Sequence, residues 1–307
     1  MDIKIIPTGA TLGARVEGID LSQPLSEPTF QMLIQALGQY GVLKYPKQTL
    51  SAQQLRDFSA NFGRLEVNVA NAYQEPGLAE VMVLSNIVEN GTPIGLADAG
   101  QDWHTDMSYS TMIAFTNILY GLEIPHRNGQ PLGNTEFCNM HAAYEGLPET
   151  WKQRLAGMTI LHDFNKFWEM MRRDRGSKRP PLTDAQRAAK PPVSHSIFMT
   201  HPITGRRVLY ANPGYAIRIN EMSVEESDQT LAFLFEHQTQ TKYRYGNRWE
   251  VGDVLMWDNM GTVHNAVADY RPDEHRLIKR CQVMATRFFH ADGTPRNIPA
   301  TEQSLAS

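Results

Sequence analysis

The sequence predicts a mainly β fold, with a sandwich-like or barrel-like core and helices packed around it. Many short runs rich in β-branched and aromatic residues are separated by Gly, Pro, Asn and Asp, as in strands joined by turns. Few stretches carry the longer periodicity of amphipathic helices. No internal repeat or linker divides the 307 residues, so we expect a single domain over residues 1–307.

Three amphipathic helices are expected, and 141–147 and 149–158 are expected to be helical as well. Ser26 begins the first, which has apolar residues at helical spacing and ends near Gly41. The second opens on a capping box, from Ser51 to Gln54, and ends near Gly63. The third spans 224–238. We interpret the apolar stripe of each helix as a core contact.

The predicted strands are short and spread along the whole chain. Two lie within 3–21, and the others lie at 42–45, 81–84, 113–122, 135–137, 197–199, 207–210, 243–245, 253–257, 264–267 and 278–284.

The segment 164–193 differs in character from the rest of the chain. It has eight basic residues against three acidic ones, and two Pro-Pro pairs disfavour regular structure at its far end. We predict a long irregular insertion, which is either a lid or binding loop over a site or a solvated surface loop.

Composition excludes several function classes. The net charge of −4 gives no case for nucleic acid or a membrane surface as a partner. The two cysteines fit no metal-binding spacing and indicate a reducing compartment. The N-terminus lacks the apolar stretch of a signal peptide, so we expect a cytoplasmic protein.

A histidine and a carboxylate stand two residues apart in the stretch His104-Thr105-Asp106. In an extended backbone, residues i and i+2 point to the same face, so both side chains could reach one point. A mixed N/O pair of this kind suits iron, and His264 is the best candidate for a third ligand. The three together would form a two-His, one-carboxylate facial triad that leaves three positions on the metal open.

Ordered motifs run through nearly the whole chain. They include Leu12-Gly13-Ala14, Gly18-Ile19-Asp20-Leu21, Phe62-Gly63, Trp103-His104-Thr105-Asp106, His201-Pro202-Ile203-Thr204-Gly205-Arg206, Trp257-Asp258-Asn259 and Asp269-Tyr270. With these motifs the chain resembles the TauD/TfdA family of Fe(II)- and 2-oxoglutarate-dependent dioxygenases. The resemblance implies a double-stranded β-helix (jelly-roll) core, with Fe(II) bound at one open end and 2-oxoglutarate and O2 as co-substrates.

The resemblance also implies residue roles. It makes His104, Asp106 and His264 the iron ligands. It assigns Thr135 and Arg276 to the distal carboxylate of 2-oxoglutarate, and it places Arg280 on the substrate side, near the iron. A guanidinium fork and a hydroxyl donor suit a carboxylate. Without the resemblance, a surface salt bridge would be the simpler interpretation of either arginine.

The substrate is predicted less sharply. Asn68 stands near the position where the family's taurine enzymes carry a sulfonate-binding histidine, which argues against taurine. The candidate lining residues are Asn68, Met107, Tyr109, Phe164, Tyr215 and Arg280. Core packing is an equally good account of most of them. The basic 164–193 segment and Arg280 favour a small carboxylate, sulfonate or sulfate ester. Family precedent suggests a homodimer or homotetramer.

Two other function classes stay open from the sequence. One is a jelly-roll protein that binds metal and ligand without redox turnover. The other is a zinc hydrolase with the same three ligands. The hydrolase would leave Arg276, Arg280 and Thr135 without a role. A ligand carboxylate at Asp106 argues for hydroxylation rather than halogenation.

Overall fold

The computed structural model describes residues 2–67, 73–177 and 180–296. Within these ranges the chain forms twenty strands, seven α-helices and one short 3-10 helix. The strands are β1 Lys4–Pro7, β2 Ala14–Glu17, β3 Val42–Tyr45, β4 Gln74–Glu75, β5 Leu78–Ser85, β6 Val88–Glu89, β7 Thr92–Pro93, β8 Ala114–Glu123, β9 His126–Arg127, β10 Gln130–Pro131, β11 Thr135–Asn139, β12 Thr159–His162, β13 Val193–Ser196, β14 Phe198–Thr200, β15 Arg207–Leu209, β16 Ala216–Ile219, β17 Arg244–Asn247, β18 Val254–Asp258, β19 Thr262–Ala266 and β20 Leu277–Met284. The α-helices are α1 Glu27–Tyr40, α2 Ala52–Ala60, α3 Met140–Glu145, α4 Glu149–Leu155, α5 Phe164–Asp174, α6 Asp184–Ala189 and α7 Val224–Gln238, and the 3-10 helix is Thr241–Tyr243.

The largest sheet has the strand order β1-β2-β3-β18-β8-β20-β5-β4. All its neighbours are antiparallel except β2 and β3, which run parallel. The strands β18 and β8 lie in its middle and are buried along most of their length. Full burial explains why their sequences read as continuous apolar runs and do not alternate.

A smaller sheet, β17-β11-β19, faces the large one. The ring of Phe137 on β11 packs edge-on against Trp257 on β18, with centroids 5.5 Å apart. Phe137 also shares an apolar cluster with Leu255 and Ile278 of the large sheet. Two antiparallel sheets packed over a common core confirm the predicted mainly β architecture and match a jelly roll.

The helices begin and end where local chemistry predicts. The Ser26 hydroxyl accepts from the Thr29 N–H at the start of α1, and Gly41 ends it with a φ of 68°. Ser51 and Gln54 form the reciprocal capping box of α2. The buried faces of α1 and α2 pack on the large sheet, which places their leucines and phenylalanines in the main core.

The segment 164–193 is more ordered than predicted. It contains α5 and α6, so the expectation of an irregular insertion is wrong. One Pro-Pro pair precedes α6 and the other follows it, so neither interrupts the helix. Thr183 and Gln186 form a capping box that the composition argument overlooked. No helix in the described part of the chain is long and apolar enough to cross a membrane.

Candidate metal centre

The stretch that carries His104 and Asp106 is not a strand. His104 makes one isolated antiparallel bridge to His264, with N···O distances of 2.9 and 2.8 Å. Asp106 follows in a turn, and the neighbouring Asp102 and Met107 adopt φ values of 79° and 61°. The two side chains therefore meet through a bridge and a turn. The assumption of an extended i, i+2 pair was wrong, although the prediction that they meet holds.

The structure brings the three predicted ligands together. One ligand atom each from His104, Asp106 and His264 lies within 4.8 Å of the other two. His104 Nε2 is 3.7 Å from Asp106 Oδ1, and His264 Nε2 is 3.9 Å from Asp106 Oδ2. All three residues are buried. His264 lies on β19 of the small sheet, and its ring is 4.8 Å from that of Trp257 on β18 of the large sheet. The site therefore lies between the two sheets.

The imidazole of His104 is held in one orientation. Its Nδ1 lies 2.8 Å from the Asp102 carbonyl oxygen, to which it can donate a hydrogen bond. Nε2 then keeps its lone pair and points toward Asp106. A backbone acceptor on the second ring nitrogen is how metal-binding histidines are usually oriented.

Two asparagines fix the backbone of the ligand segment. The Asn259 side chain donates to the Asp106 carbonyl at 2.9 Å and accepts from the Asp106 N–H at 3.2 Å. The Asn212 side chain does the same for Thr105, at 2.6 and 3.2 Å. Asn259 stands in the Trp257-Asp258-Asn259 motif, but no nearby residue indicated that these asparagines would hold backbone groups 153 and 107 positions away.

Gly214 allows a close approach to His104. A β-carbon at this position would lie 2.8 Å from the Cβ of His104 and 3.1 Å from the Phe167 ring. The turn that carries Tyr215 can therefore pack directly on the metal ligand.

Opposing effects set the charge of the site. Burial alone would raise the pKa of Asp106, but Arg280, His104 and His264 together hold it below its usual value. Burial, followed by the neighbouring His104, lowers the pKa of His264 well below its ordinary value. The site thus presents a carboxylate and a neutral imidazole, the forms that bind metals.

This donor set fits Fe(II). Asp106 Oδ2 is buried and has no hydrogen-bond partner among the described residues. An unpartnered buried carboxylate oxygen is costly unless a cation satisfies it. Two imidazoles and one carboxylate on one side of an ion are typical of non-haem Fe(II) centres.

Arg276 contacts the backbone that leads into Thr135. Arg276 is buried, and its Nη2 lies 3.4 Å from the carbonyl oxygen of Gly133, two residues before Thr135. Its Nε has no hydrogen-bond partner within the described ranges. The indole of Trp249 donates to Thr135 Oγ1 at 3.0 Å, which leaves the hydroxyl hydrogen free to donate elsewhere. Sequence reasoning missed Trp249, which is fully buried and lies 114 positions away.

The register of β11 relates this pair to the metal ligands. Thr135 is opposite Ala266, and Phe137 is opposite His264. Two residues along a strand correspond to about 7 Å. A short dicarboxylate held by Thr135 and Arg276 would therefore reach toward the metal ligands with its other end.

Arg280 lies at the metal ligands themselves. Its Nη1 is 3.6 Å from Asp106 Oδ2. Its Nη2 contacts the sulfur of Met82 at 3.3 Å. Arg280 therefore lies beside the carboxylate of the ligand set.

Most of the predicted lining residues form one aromatic cluster. The Tyr109 ring lies 4.8 Å from both Phe164 and Tyr215, centroid to centroid. Tyr215 is 6.5 Å from the His104 ring. The Tyr109 hydroxyl donates to the sulfur of buried Met107 at 3.1 Å. Asn68 lies outside the described residues.

Phe167 belongs to the same cluster and was not predicted. Its ring is 5.1 Å from His104 and 5.2 Å from Tyr215. It stands three residues after Phe164 on α5, so helical spacing could have indicated it.

A second buried group of metal-ligand types lies behind the centre. His201 Nε2 is 3.0 Å from Asp258 Oδ2, and His141 is the third member. His201 Nδ1 accepts from the backbone N–H groups of Ile203 and Thr204. Its Nε2 therefore carries the proton and faces Asp258 Oδ2, so we interpret the pair as a polar contact that supports the β18–β19 turn.

Residues 4–282 match the family model described as taurine catabolism dioxygenase TauD, TfdA family. Among curated relatives, pentalenolactone F synthase of Streptomyces avermitilis is 33% identical over 291 residues, covering 91% of this chain and 93% of the relative. The 2,4-dichlorophenoxyacetate dioxygenase of Cupriavidus pinatubonensis is 32% identical, covering 86% and 92%.

A solved structure extends the match to the fold. AAD-2 in complex with Mn(II) and N-oxalylglycine superposes with a TM-score of 0.75 at 27% identity, covering 92% of this chain and 98% of that one. Mn(II) is a divalent ion that prefers ligands of the same kind. The fold, the donor set and the match over nearly the whole length agree. The chain belongs to the TauD/TfdA family of Fe(II)- and 2-oxoglutarate-dependent dioxygenases.

Proposed function

We propose that this enzyme hydroxylates a small anionic organic substrate while 2-oxoglutarate is converted to succinate and CO2. The observation that carries the proposal is the convergence of the buried ligand atoms of His104, Asp106 and His264 within 4.8 Å of one another. Bound Fe(II) would supply the activation of O2. The chain itself supplies ligands, orientation and exclusion of water.

The iron ligands are assigned to His104, Asp106 and His264. Each is buried, and two are fixed by local hydrogen bonds: His104 through Asp102 and Asp106 through Asn259. Rigid ligands hold the metal in place while the co-substrate and substrate exchange.

We assign the distal carboxylate of 2-oxoglutarate to Thr135 and Arg276. The Arg276 guanidinium is buried beside Tyr270 and has no carboxylate within salt-bridge distance among the described residues. Burial of the charged group lowers its pKa, a cost that Tyr270 and Asp269 offset only in part. An incoming carboxylate would remove that cost, and the Thr135 hydroxyl would add a second donor.

The class of the primary substrate is supported by the relatives and by charge. Relatives carry names that point to phenoxyalkanoic acids, sulfonates, alkyl sulfates and pentalenolactone F. Most of these are anions with an apolar body. Arg280 beside the metal ligands gives the cavity a positive charge, and the aromatic cluster around Tyr109 gives it an apolar wall.

We propose that 164–193 acts as a lid. Lys166 on α5 donates to the carbonyl oxygens of Pro213 and Ala216, which anchors the segment beside the metal centre. Arg175 forms a salt bridge of 2.8 Å with Asp102. Closure of this kind keeps water from the reacting atoms.

We propose the cytoplasm as the working compartment. Cys138 and Cys281 are both free and buried, and burial raises the pKa of each thiol to about 12. Unpaired cysteines fit a reducing environment.

A substrate screen tests the proposed function. The purified enzyme is incubated with Fe(II), 2-oxoglutarate, ascorbate and a panel of carboxylates, sulfonates and sulfate esters, with succinate and oxidised product measured by mass spectrometry. We expect equimolar succinate and hydroxylated product for at least one anion. Binding without succinate would instead support a non-redox binding protein, and product formation with zinc alone would support a hydrolase.

A further inference from the structure

The 164–193 segment is strongly basic, and nearly every described cation in it is already paired. Lys178 and Arg179 lie outside the described residues. The pairs are Arg172 with Glu169, Arg173 with Asp174, Arg175 with Asp102, and Arg187 with Asp184 and Asn165, while Lys166 binds backbone carbonyls. These contacts are internal to the segment or tie it to the chain beneath.

Lys190 is the exception. It lies half-buried at the end of α6, and among the described residues no carboxylate is within salt-bridge distance of its ammonium. Its Nζ instead lies 6.0 Å from the centroid of the Tyr109 ring. Within the described ranges this half-buried ammonium contacts the face of a tyrosine, from which it gains little.

Tyr109 connects this ammonium to the metal ligands. Its ring is 4.8 Å from Tyr215, and Tyr215 is 6.5 Å from the His104 ring. Phe164 covers the other side of Tyr109 at 4.8 Å. The aromatic rings therefore form a continuous apolar wall that has a metal ligand at one end and lies beneath Lys190 at Tyr109.

Arg280 and Lys190 are in different positions. Arg280 stands 3.6 Å from Asp106 at the metal end, where that carboxylate already opposes its charge. Lys190 stands over Tyr109, with no carboxylate within salt-bridge distance in the described ranges. An anionic group on the substrate gains more at Lys190, because it meets an ammonium without a salt-bridge partner in a partly desolvated place.

We propose that Lys190 binds the anionic group of the substrate, while Tyr109, Phe164 and Tyr215 hold an aromatic or bulky apolar body between that ammonium and the metal ligands. This rests on the proposed function and names its substrate class. The substrate is an aryl or bulky alkyl carboxylate whose charged group lies on the far side of the body from the oxidised carbon. Compact anions such as aminosulfonates would not span the wall.

Calorimetry on the enzyme loaded with Mn(II) and N-oxalylglycine tests the assignment without turnover. The probes are phenoxyacetate, 3-phenylpropionate and 4-phenylbutyrate, each compared with its methyl ester. The variants are Lys190→Met, which keeps the length and removes the charge, and Lys190→Arg, which keeps the charge. Arg187→Met is the matched control, because that cation of the same segment is already paired.

We expect the best carboxylate to bind the wild type about ten- to a hundredfold more tightly than its ester, as for one charge-assisted contact. Lys190→Met should remove that preference while leaving ester binding unchanged, and Lys190→Arg should largely restore it. Arg187→Met should behave as the wild type. A preference that survives Lys190→Met, equal binding of acids and esters to the wild type, or no binding of any probe would overturn the proposal.

Succinate formation separates this inference from the proposed function. If the enzyme makes succinate from 2-oxoglutarate with Fe(II) but Lys190→Met changes no affinity, only the role of Lys190 fails. If no succinate forms under any condition, the proposed function fails regardless of the binding data.

Discussion

The Asn259 side chain holds both backbone groups of the metal ligand Asp106, with its amide donating at 2.9 Å and its oxygen accepting at 3.2 Å. The same side chain also donates to the Ala114 carbonyl and accepts from the Asn117 amide. Asn259 follows β18 directly, so it links a central strand of the large sheet to the ligand turn. The metal centre is therefore positioned by the core, although its ligand segment is irregular.

Asn259→Ala should weaken metal binding without removing a ligand. We expect Fe(II) affinity to fall about ten- to a hundredfold, as when a residue that orients metal ligands is lost. Unfolding free energy should drop by about 1–3 kcal/mol, because buried backbone groups lose their partners. Titration with Fe(II) under anaerobic conditions measures the first effect and urea denaturation the second. Unchanged affinity with reduced stability would leave Asn259 a purely structural role.

Thr135→Val should weaken 2-oxoglutarate binding selectively. The variant keeps the shape and removes the hydroxyl, so we expect the KM for 2-oxoglutarate to rise about tenfold. Fe(II) affinity should stay the same. Trp249→Phe, which removes the donor to Thr135, should give a smaller increase in the same KM.

Thr239→Val is a suitable control for both changes. Its hydroxyl bonds the Phe235 carbonyl on α7. Equal effects of Thr135→Val and Thr239→Val on 2-oxoglutarate would contradict the assignment of the co-substrate site.

Arg175→Ala should loosen the lid. Arg175 bonds Asp102, whose carbonyl in turn orients His104. We expect more 2-oxoglutarate consumed per hydroxylated product and a higher KM for the primary substrate. Stability should barely change, because the ion pair is nearly half exposed. Arg173 pairs with the adjacent Asp174, so Arg173→Ala should leave the ratio of 2-oxoglutarate consumed to product formed unchanged. If both variants consume the same amount of 2-oxoglutarate per hydroxylated product, the Arg175–Asp102 ion pair does not hold the lid closed.

His162 should make the fold sensitive to acid. It is fully buried at the end of β12, and burial, helped by the nearby His195, lowers its pKa from 6.5 to about 3. Below pH 6.5 the unfolded chain binds a proton at this residue that the folded chain takes up only near pH 3. Unfolding therefore absorbs a proton in that window, and stability falls as the pH decreases through it.

His162→Phe removes this titration. Between pH 6 and pH 4, we expect the stability of the variant to fall with pH about 1.4 kcal/mol per unit less steeply than that of the wild type. Denaturant midpoints measured at several pH values for both proteins give the two slopes. Parallel slopes would show that His162 does not titrate as its burial requires.

The sequence predicted the elements whose boundaries depend on local chemistry. The N-terminal caps of α1 and α2 each join two residues three positions apart, Ser26 with Thr29 and Ser51 with Gln54, so a short window was sufficient. The failure at 164–193 has the opposite cause: charge and proline content were weighted over the Thr183–Gln186 capping box.

The metal ligands were predictable from the sequence, and the residues that hold them in position were less so. His104 and Asp106 stand together in the sequence, His264 was the best candidate for a third ligand, and family resemblance supplied Thr135 and Arg276. Trp249, Asn212 and Asn259 act through contacts 100 or more positions away, which single-sequence patterns do not encode. Lys190 could be distinguished only once the partners of its neighbours were known.

The most direct test of the account is the formation of succinate from 2-oxoglutarate by the wild type and by Asp106→Ala, with and without Fe(II). We predict succinate only with the wild type, only with Fe(II) and only in the presence of O2, and a loss of more than about a hundredfold in the variant, because removing a ligand does more than disturbing its support. Succinate formation that persists in Asp106→Ala, or that does not depend on Fe(II), would contradict it.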